Sequence, residues 1–249
     1  MNGLYDDARR YDLIYADFGE DIGFYREIAR ESSGPICDLA CGTGRVTIPL
    51  AVEFPERQLY GVDNSPRQLE LAAERAGGEP NLSWIEASME RFGPPERCGL
   101  ALCALHSLEH LTGEGAVDRF FENLREGVLL PGGLFAFALH LPDPRYLIRD
   151  PEALERVGAY GGAEEGFILY ERSNYDRAAQ LLRLTWYFEP RRSGELERVE
   201  YELRLFYPLE MERIVAEHSF ELLGRFGWYD RSGLTDQAGT QIYVVRAPS

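Results

Sequence analysis

The residues with the clearest capacity to bind a ligand lie in one short segment, ICDLACGTG, which begins at Ile36. Gly42 and Gly44 allow the backbone to approach a ligand closely, and a helix that begins after them offers free N–H groups to an anion. Asp38 places a carboxylate beside this loop, which disfavours a pyrophosphate and suits an ammonium group. Thr47 stands where the GxGxxG dinucleotide fingerprint has its third glycine. The loop therefore predicts a site for a ligand other than a dinucleotide.

A second candidate is Asp63, which ends the apolar segment QLYGVD and lies 19 residues after Gly44. An acidic side chain at this place can accept hydrogen bonds from both hydroxyls of a ribose. The alternative is a surface acid that flanks the following helix. Together, the glycine loop and the acid indicate an adenosine ligand without a pyrophosphate.

These residues need a sheet to position them, and the segment from Ile36 to His140 predicts one. Short apolar segments alternate with helical ones, which is typical of a parallel sheet with helices on both faces. The predicted strands are ICDLA, QLYGVD, LSWIEA, CGLALCAL and LFAFALH, and the predicted helices cover residues 45–54, 66–76 and 116–128. Ligands bind at the carboxyl ends of such strands.

Two sets of signals fix the loops between these elements. Ser65 can cap a helix that begins at Pro66, Gln68 completes a capping box, and Gly77 can end the helix. Residues 131–133, Pro-Gly-Gly, predict a turn that ends one helix and begins the next strand.

After His140 the pattern changes from alternating elements to β-rich segments. Three of them, GFILYERSNYD, AAQLLRLTWYFEP and LERVEYELRLFY, predict an antiparallel meander. A helix over Leu209 to His218 and strands over Glu221 to Trp228 and Gln241 to Arg246 then return to the main sheet. The meander is thus expected to be an insertion.

The N-terminal segment has aromatic residues at helical spacing, Tyr11, Tyr15 and Phe18, which Ile22 and Tyr25 continue. It predicts two helices, which either pack on the core or form an aromatic lid over a ligand. The expected organisation is a helical lid over residues 1–34, a main domain over 35–140 and 207–249, and an antiparallel insertion over 141–206.

Composition excludes several classes of function. All 26 basic residues are Arg, so a Schiff-base lysine is excluded, and the net charge of −16 argues against a nucleic-acid partner. The four cysteines contain no CxxC pair and are expected to be buried thiols, with no metal site. The charged N-terminal segment and the short apolar stretches predict no signal peptide and no membrane span. A cytoplasmic monomer or homodimer is expected.

Three segments, ICDLACGTGRVTIPLA, GVDNSP and LLPGGLFAFAL, closely resemble the class I methyltransferases that use S-adenosylmethionine (SAM). The resemblance extends from about Tyr11 to the C-terminus and implies an α/β fold with a Rossmann-like, seven-stranded, mostly parallel sheet. It implies that Asp38, Gly42 and Gly44 line the methionine part of SAM and that Asp63 holds the ribose. The full set of implied cofactor residues is Tyr11, Asp38, Ala40, Gly42, Thr43, Gly44, Asp63, Asn64, Ser88, Met89 and Leu105.

Ser88 and Met89 are expected to border the adenine, although relatives often have Asp in place of Ser88. The insertion and the YDLIYADF segment resemble the subgroup of amino-sugar N,N-dimethyltransferases and glycine or sarcosine N-methyltransferases. This resemblance implies a small-molecule acceptor, methylated on nitrogen or oxygen, with S-adenosylhomocysteine as the coproduct. The alternatives are methylation of a protein or RNA, and a SAM-binding module without turnover.

Methyl transfer from a sulfonium is an in-line displacement, so alignment and desolvation supply most of the acceleration. A general base is needed only where the acceptor must lose a proton. His106 and His140 follow predicted strands at the ligand edge and are the candidate bases, although either could be a structural histidine. His110 lies near them, whereas His218 is expected at the surface. Tyr15 is a candidate to orient the acceptor.

Overall fold

A computed structural model describes residue 5 and residues 7–162, 164–192 and 194–249. The strands are β1 Ile36–Leu39, β2 Leu59–Asp63, β3 Leu82–Glu86, β4 Cys98–Cys103, β5 Leu129–His140, β6 Glu155–Tyr160, β7 Phe167–Asp176, β8 Leu181–Pro190, β9 Glu197–Arg204, β10 Glu221–Phe226 and β11 Thr240–Arg246. The α-helices are α1 Ala8–Tyr15, α2 Glu20–Arg30, α3 Thr47–Glu53, α4 Pro66–Ala76, α5 Ala116–Asn123 and α6 Pro208–Glu217.

Seven strands form the main sheet in the order β10, β11, β5, β4, β1, β2, β3. The strands β3, β2, β1, β4 and β5 are neighbours in that order, and each pair of neighbours is parallel. Strand β11 runs antiparallel to both of its neighbours. The predicted α/β fold with a mostly parallel sheet of seven strands is confirmed. The order reverses next to β1, so the loops after β1 and β4 lie at the switch point where open parallel sheets bind ligands.

Buried side chains cover both faces of the main sheet. On one face α5 and α6 pack Phe120, Phe121 and Met211 against it, and on the other face α2 packs Phe24 and Tyr25. The four cysteines are buried free thiols, as predicted. Within the part of the chain that the structure describes, no helix is long and apolar enough to cross a membrane.

A second sheet contains β6, β7, β8 and β9, all antiparallel, and lies in sequence between β5 and α6. Its last three strands match the predicted meander, but the prediction of three strands is wrong because β6 adds a fourth. The strand was missed because it is an edge strand whose first three residues, Glu155, Arg156 and Val157, are exposed and show no apolar alternation.

Two local predictions are corrected. The Ser65 hydroxyl accepts from the Gln68 N–H at 3.4 Å, but the capping box is wrong because the Ser65 N–H donates to Asp63 at 2.9 Å and the Gln68 Oε1 has no partner among the described residues. Residues 131–133 are not a turn before the strand but a bulge within β5, where the pairing with β4 shifts by three residues. The N–H of Gly132, at φ +73°, donates to Pro248, so the C-terminal segment holds this bulge.

Candidate functional site

The loop after β1 is held in an unusual backbone conformation at three positions. Ala40, Gly42 and Gly44 have φ values of 60°, 55° and 80°. A Cβ on Gly44 would lie 2.6 Å from the Trp84 ring, so packing on β3 requires this glycine. A Cβ on Gly42 would have only the Gln68 side chain nearby, at 3.6 Å. Gly42 therefore marks the place where a ligand can approach the backbone closely.

Asp63 at the end of β2 is 8% exposed and ties the loop to the sheet. Its carboxylate accepts from the Gly42 N–H and the Ser65 N–H, both at 2.9 Å. Burial raises the pKa of Asp63, and these backbone hydrogen bonds oppose the rise. A carboxylate has about four acceptor positions, so acceptor capacity remains for a hydroxyl group of a ligand.

Asp38 on β1 is 2% exposed, and its two oxygens have different surroundings. One oxygen, Oδ2, accepts from the Thr47 hydroxyl at 2.6 Å, whereas Oδ1 is buried without a hydrogen-bond partner among the described residues. Burial raises the pKa of Asp38 to about 7. A positively charged donor such as an ammonium group would satisfy Oδ1 and favour the ionised form.

Two cavities flank the loop. The first, of about 220 Å³, lies over the ends of β2 and β3, and the second, of about 750 Å³, lies between the loop and the N-terminal helices. The predicted cofactor residues at the first cavity are Tyr11, Ala40, Gly42, Asp63, Asn64, Ser88 and Met89. Those at the second are Tyr11, Asp38, Ala40, Gly42, Thr43, Gly44 and Leu105. The structure thus brings all eleven together.

The side chains of two of these residues form hydrogen bonds within the protein. The Thr43 hydroxyl donates to Asp12 on α1 at 2.6 Å, so Thr43 anchors the N-terminal helix to the loop. The Ser88 hydroxyl accepts from the Glu90 N–H at 3.3 Å and lines the first cavity. A serine oxygen has a second acceptor position, so it can still accept from an amino group.

A third cavity, of about 110 Å³, lies between the carboxyl edge of the main sheet and the second sheet. Its lining is rich in aromatic rings, which include Tyr5, Tyr11, Tyr15, Tyr146, Trp186 and Tyr201, and it contains His106, His110 and His140. Tyr11 lines all three cavities, and Leu105 lines the second and the third. The three cavities therefore meet at Tyr11.

His106 and His140 are brought together in the third cavity. Their rings are stacked with centroids 3.7 Å apart, and His106 Nε2 lies 3.4 Å from the Thr240 hydroxyl. Burial and the neighbouring His140 hold the pKa of His106 well below its ordinary value. Tyr15 lines the same cavity, with its ring centroid 4.9 Å from that of Tyr11.

His140 is bonded to a buried acid that the sequence did not single out, Glu109. The His140 ring Nδ1 lies 2.6 Å from the Glu109 carboxylate. Burial alone would lower the pKa of His140, but the Glu109 carboxylate and its hydrogen bond outweigh burial, so the pKa is raised. The His140 side chain is 46% exposed and lines the third cavity.

The other two histidines, His110 and His218, have different surroundings. His110 Nε2 lies 2.6 Å from the Tyr5 hydroxyl, and burial lowers its pKa to about 4. The prediction that His218 lies at the surface is wrong, because the chain turns after α6 and stacks its ring on Phe121 with centroids 5.5 Å apart. Its Nε2 is 3.1 Å from Asp118. His218 lies outside the three cavities.

Comparison with known proteins agrees with this geometry. Residues 36–133 match the family model of a methyltransferase domain. Over 109 residues the chain is 37% identical to the trans-aconitate 2-methyltransferase of Streptomyces coelicolor, covering 41% of this chain and only 33% of that relative.

Two solved structures share the fold over the whole length. The CcbJ methyltransferase from Streptomyces caelestis has a TM-score of 0.79 at 23% identity, with all of both chains covered. SAM-bound CalS10, an amino pentose methyltransferase from Micromonospora echinaspora, has a TM-score of 0.70 at 16% identity, with 99% of both chains covered. At these identities the similarity establishes the fold.

Proposed function

We propose that the protein methylates a small molecule with SAM, because residues 36–133 match the family model of a methyltransferase domain and the whole chain shares its fold with solved methyltransferases. The observation that carries the proposal is the meeting of the three cavities at Tyr11. A ligand that fills the first two would end at the aromatic third cavity, which would hold the acceptor.

The residues around the first two cavities fit SAM. Asp63 would accept from the ribose hydroxyls, and the unpaired Oδ1 of Asp38 would accept from the ammonium group of the methionine part. Ser88 and Met89 would border the adenine. Bound SAM supplies a methyl group on a positively charged sulfur, which is already an activated leaving group.

The third cavity would align and desolvate the acceptor. Its walls combine aromatic rings with the apolar side chains of Leu182, Leu184 and Leu203, which exclude water from the reacting atoms. A nitrogen acceptor is favoured over oxygen because aromatic faces attract an ammonium group. His140 would receive the acceptor's proton at Nε2, since Nδ1 is bonded to Glu109.

The four free cysteines agree with a cytoplasmic location.

The first experiment measures cofactor binding by calorimetry. We expect SAM and S-adenosylhomocysteine to bind with roughly micromolar affinity, a free energy of about 8 kcal/mol, and NAD not to bind. The buried Asp38 carboxylate beside the loop disfavours a pyrophosphate, and Thr47 replaces the third glycine. Binding of NAD without binding of SAM would reverse the assignment.

Release of S-adenosylhomocysteine with a panel of small amines and alcohols then separates an enzyme from a module without turnover.

We also propose that α1 acts as a lid. The helix contacts the glycine loop through Asp12, which accepts from Thr43 and pairs with Arg75, and it contacts the second sheet through Leu13 and Ile14. It therefore lies between the cofactor loop and the acceptor cavity. Phe18 follows α1 and also lines the second cavity, where its ring packs on Trp228 and Tyr229.

Asp12→Ala should release the lid from the loop. Hydrogen bonds to charged groups are worth about 1.5–3 kcal/mol, so the dissociation constant for S-adenosylhomocysteine should rise roughly 10- to 100-fold. Glu20→Ala is the matched control, because it removes an exposed carboxylate from the neighbouring helix α2. Calorimetry on both variants checks the result, and equal affinities would refute the lid.

A further inference from the structure

Glu109 is a charged side chain in an apolar segment, and the backbone before it explains why it is buried. Leu105 and His106 follow β4 with φ values of 47° and 63°, a conformation that two successive residues other than glycine rarely share. The chain then forms a 3₁₀ turn over Ser107–His110. This path turns Glu109 into the protein, where its side chain is 0% exposed.

Both oxygens of Glu109 are directed at one residue. Oε1 accepts from the His140 backbone N–H, and Oε2 is bonded to the His140 ring Nδ1, both at 2.6 Å. A carboxylate that only anchored the end of β5 would need the first contact alone. The second contact fixes the orientation of the ring and leaves Nε2 as the nitrogen available to the third cavity.

We propose that Glu109 is the positioning residue for His140 in methyl transfer, an inference that rests on the proposed function. The carboxylate keeps the proton on Nδ1, so that neutral His140 presents the lone pair of Nε2 to the acceptor. Nε2 takes the acceptor proton, and the acceptor lone pair forms a bond to the methyl carbon. The bond from that carbon to sulfur breaks, and its electron pair stays on sulfur. His140 then releases the proton to solvent.

The other groups that face His140 do not replace Glu109. His106 stacks on the ring and His110 lies on the same 3₁₀ turn, but their lowered pKa values leave both neutral near pH 7. Glu171 on β7 faces His140 from the second sheet and adds to the rise in its pKa, but its oxygens are bonded to Arg149 and Trp186. Tyr5, Tyr15 and Tyr146 contribute hydroxyl groups, whose pKa values burial raises.

The test is a pH titration of the histidine side chains by nuclear magnetic resonance, which is tractable because the chain has four histidines. In the unmodified protein, neutral His140 should carry its proton on Nδ1 and titrate above the ordinary value of about 6.5. Glu109→Gln should lower this pKa by about one unit or more. Glu109→Asp keeps the negative charge and should retain part of the rise in the His140 pKa. This variant therefore provides the test if Glu109→Gln fails to fold.

Kinetics with an accepted amine give a second readout. Glu109→Gln should lower kcat roughly 10- to 100-fold with the KM for SAM unchanged, and the rising limb of the pH profile should move to lower pH. Glu122→Gln, an exposed change on α5, is the matched control. A His140 pKa that does not move in Glu109→Gln overturns the inference. Absence of SAM binding to the unmodified protein overturns the proposed function instead, and the titration still reports on Glu109.

Discussion

Replacing His140 with Asn should lower the turnover number by roughly 10- to 1000-fold while SAM binds with unchanged affinity, because general-base assistance has that magnitude. His140 is the better base of the stacked pair. The Glu109 carboxylate raises its pKa, whereas burial and His140 hold the pKa of His106 well below the ordinary value. His106→Asn should therefore have the smaller effect.

The pH dependence of this effect has a defined sign. His140 accepts a proton only when it is neutral, so activity should fall as the pH drops through its raised pKa, above the ordinary value of about 6.5. The rising limb of the profile should disappear in His140→Asn. Initial rates between about pH 5.5 and 9, with saturating SAM and an accepted amine, provide the measurement.

His218→Asn is the control because His218 lies outside the cavities. Its ring is buried against Phe121 and bonded to Asp118, so the variant should lose about 1 kcal/mol of stability and keep its turnover number. If both His140→Asn and His106→Asn keep the turnover number of the unmodified protein, alignment alone drives the transfer and solvent takes the proton.

The sequence predicted the parallel half of the fold well because each of its elements carries local signals. α4 begins at Pro66 after a Ser65 cap and ends before Gly77 at φ +62°, as its terminal residues predicted. The β6 strand lacks such signals because most of its residues are exposed and it has no regular apolar alternation. The bulge at Gly132 depends on Pro248, which is distant in sequence.

The candidate site likewise contains residues that the sequence predicted and residues that it did not. The cofactor residues follow strands that end at one edge of the sheet, so their gathering follows from the strand pattern. Glu109 could not be found by periodicity, since two left-handed residues before it redirect the chain. The contact of Gln68 with Tyr5 could not be predicted either, because the two residues are 63 positions apart in the sequence.

Asp63→Asn should weaken binding of S-adenosylhomocysteine by about 2 kcal/mol or more, roughly a 30-fold rise in the dissociation constant, because the ribose hydroxyls lose a charged acceptor. The substitution keeps the shape of the side chain but places an amide donor near the N–H groups of Gly42 and Ser65. Part of the loss could therefore act through the loop instead of the ribose. Asp236→Asn, an exposed change outside the cavities, is the matched control.

Two nucleosides separate the direct effect of Asp63 from the effect of a displaced loop. The unmodified protein should bind adenosine more tightly than 2′,3′-dideoxyadenosine, which lacks both ribose hydroxyls. If Asp63 accepts from those hydroxyls, Asp63→Asn removes most of this preference, since the mutation and the missing hydroxyls delete the same hydrogen bonds. If Asp63 acts only by holding Gly42, both nucleosides lose the same affinity and the preference persists. Calorimetric titration of the two proteins with the two nucleosides decides between these results, and a persisting preference would mean that the ribose binds elsewhere.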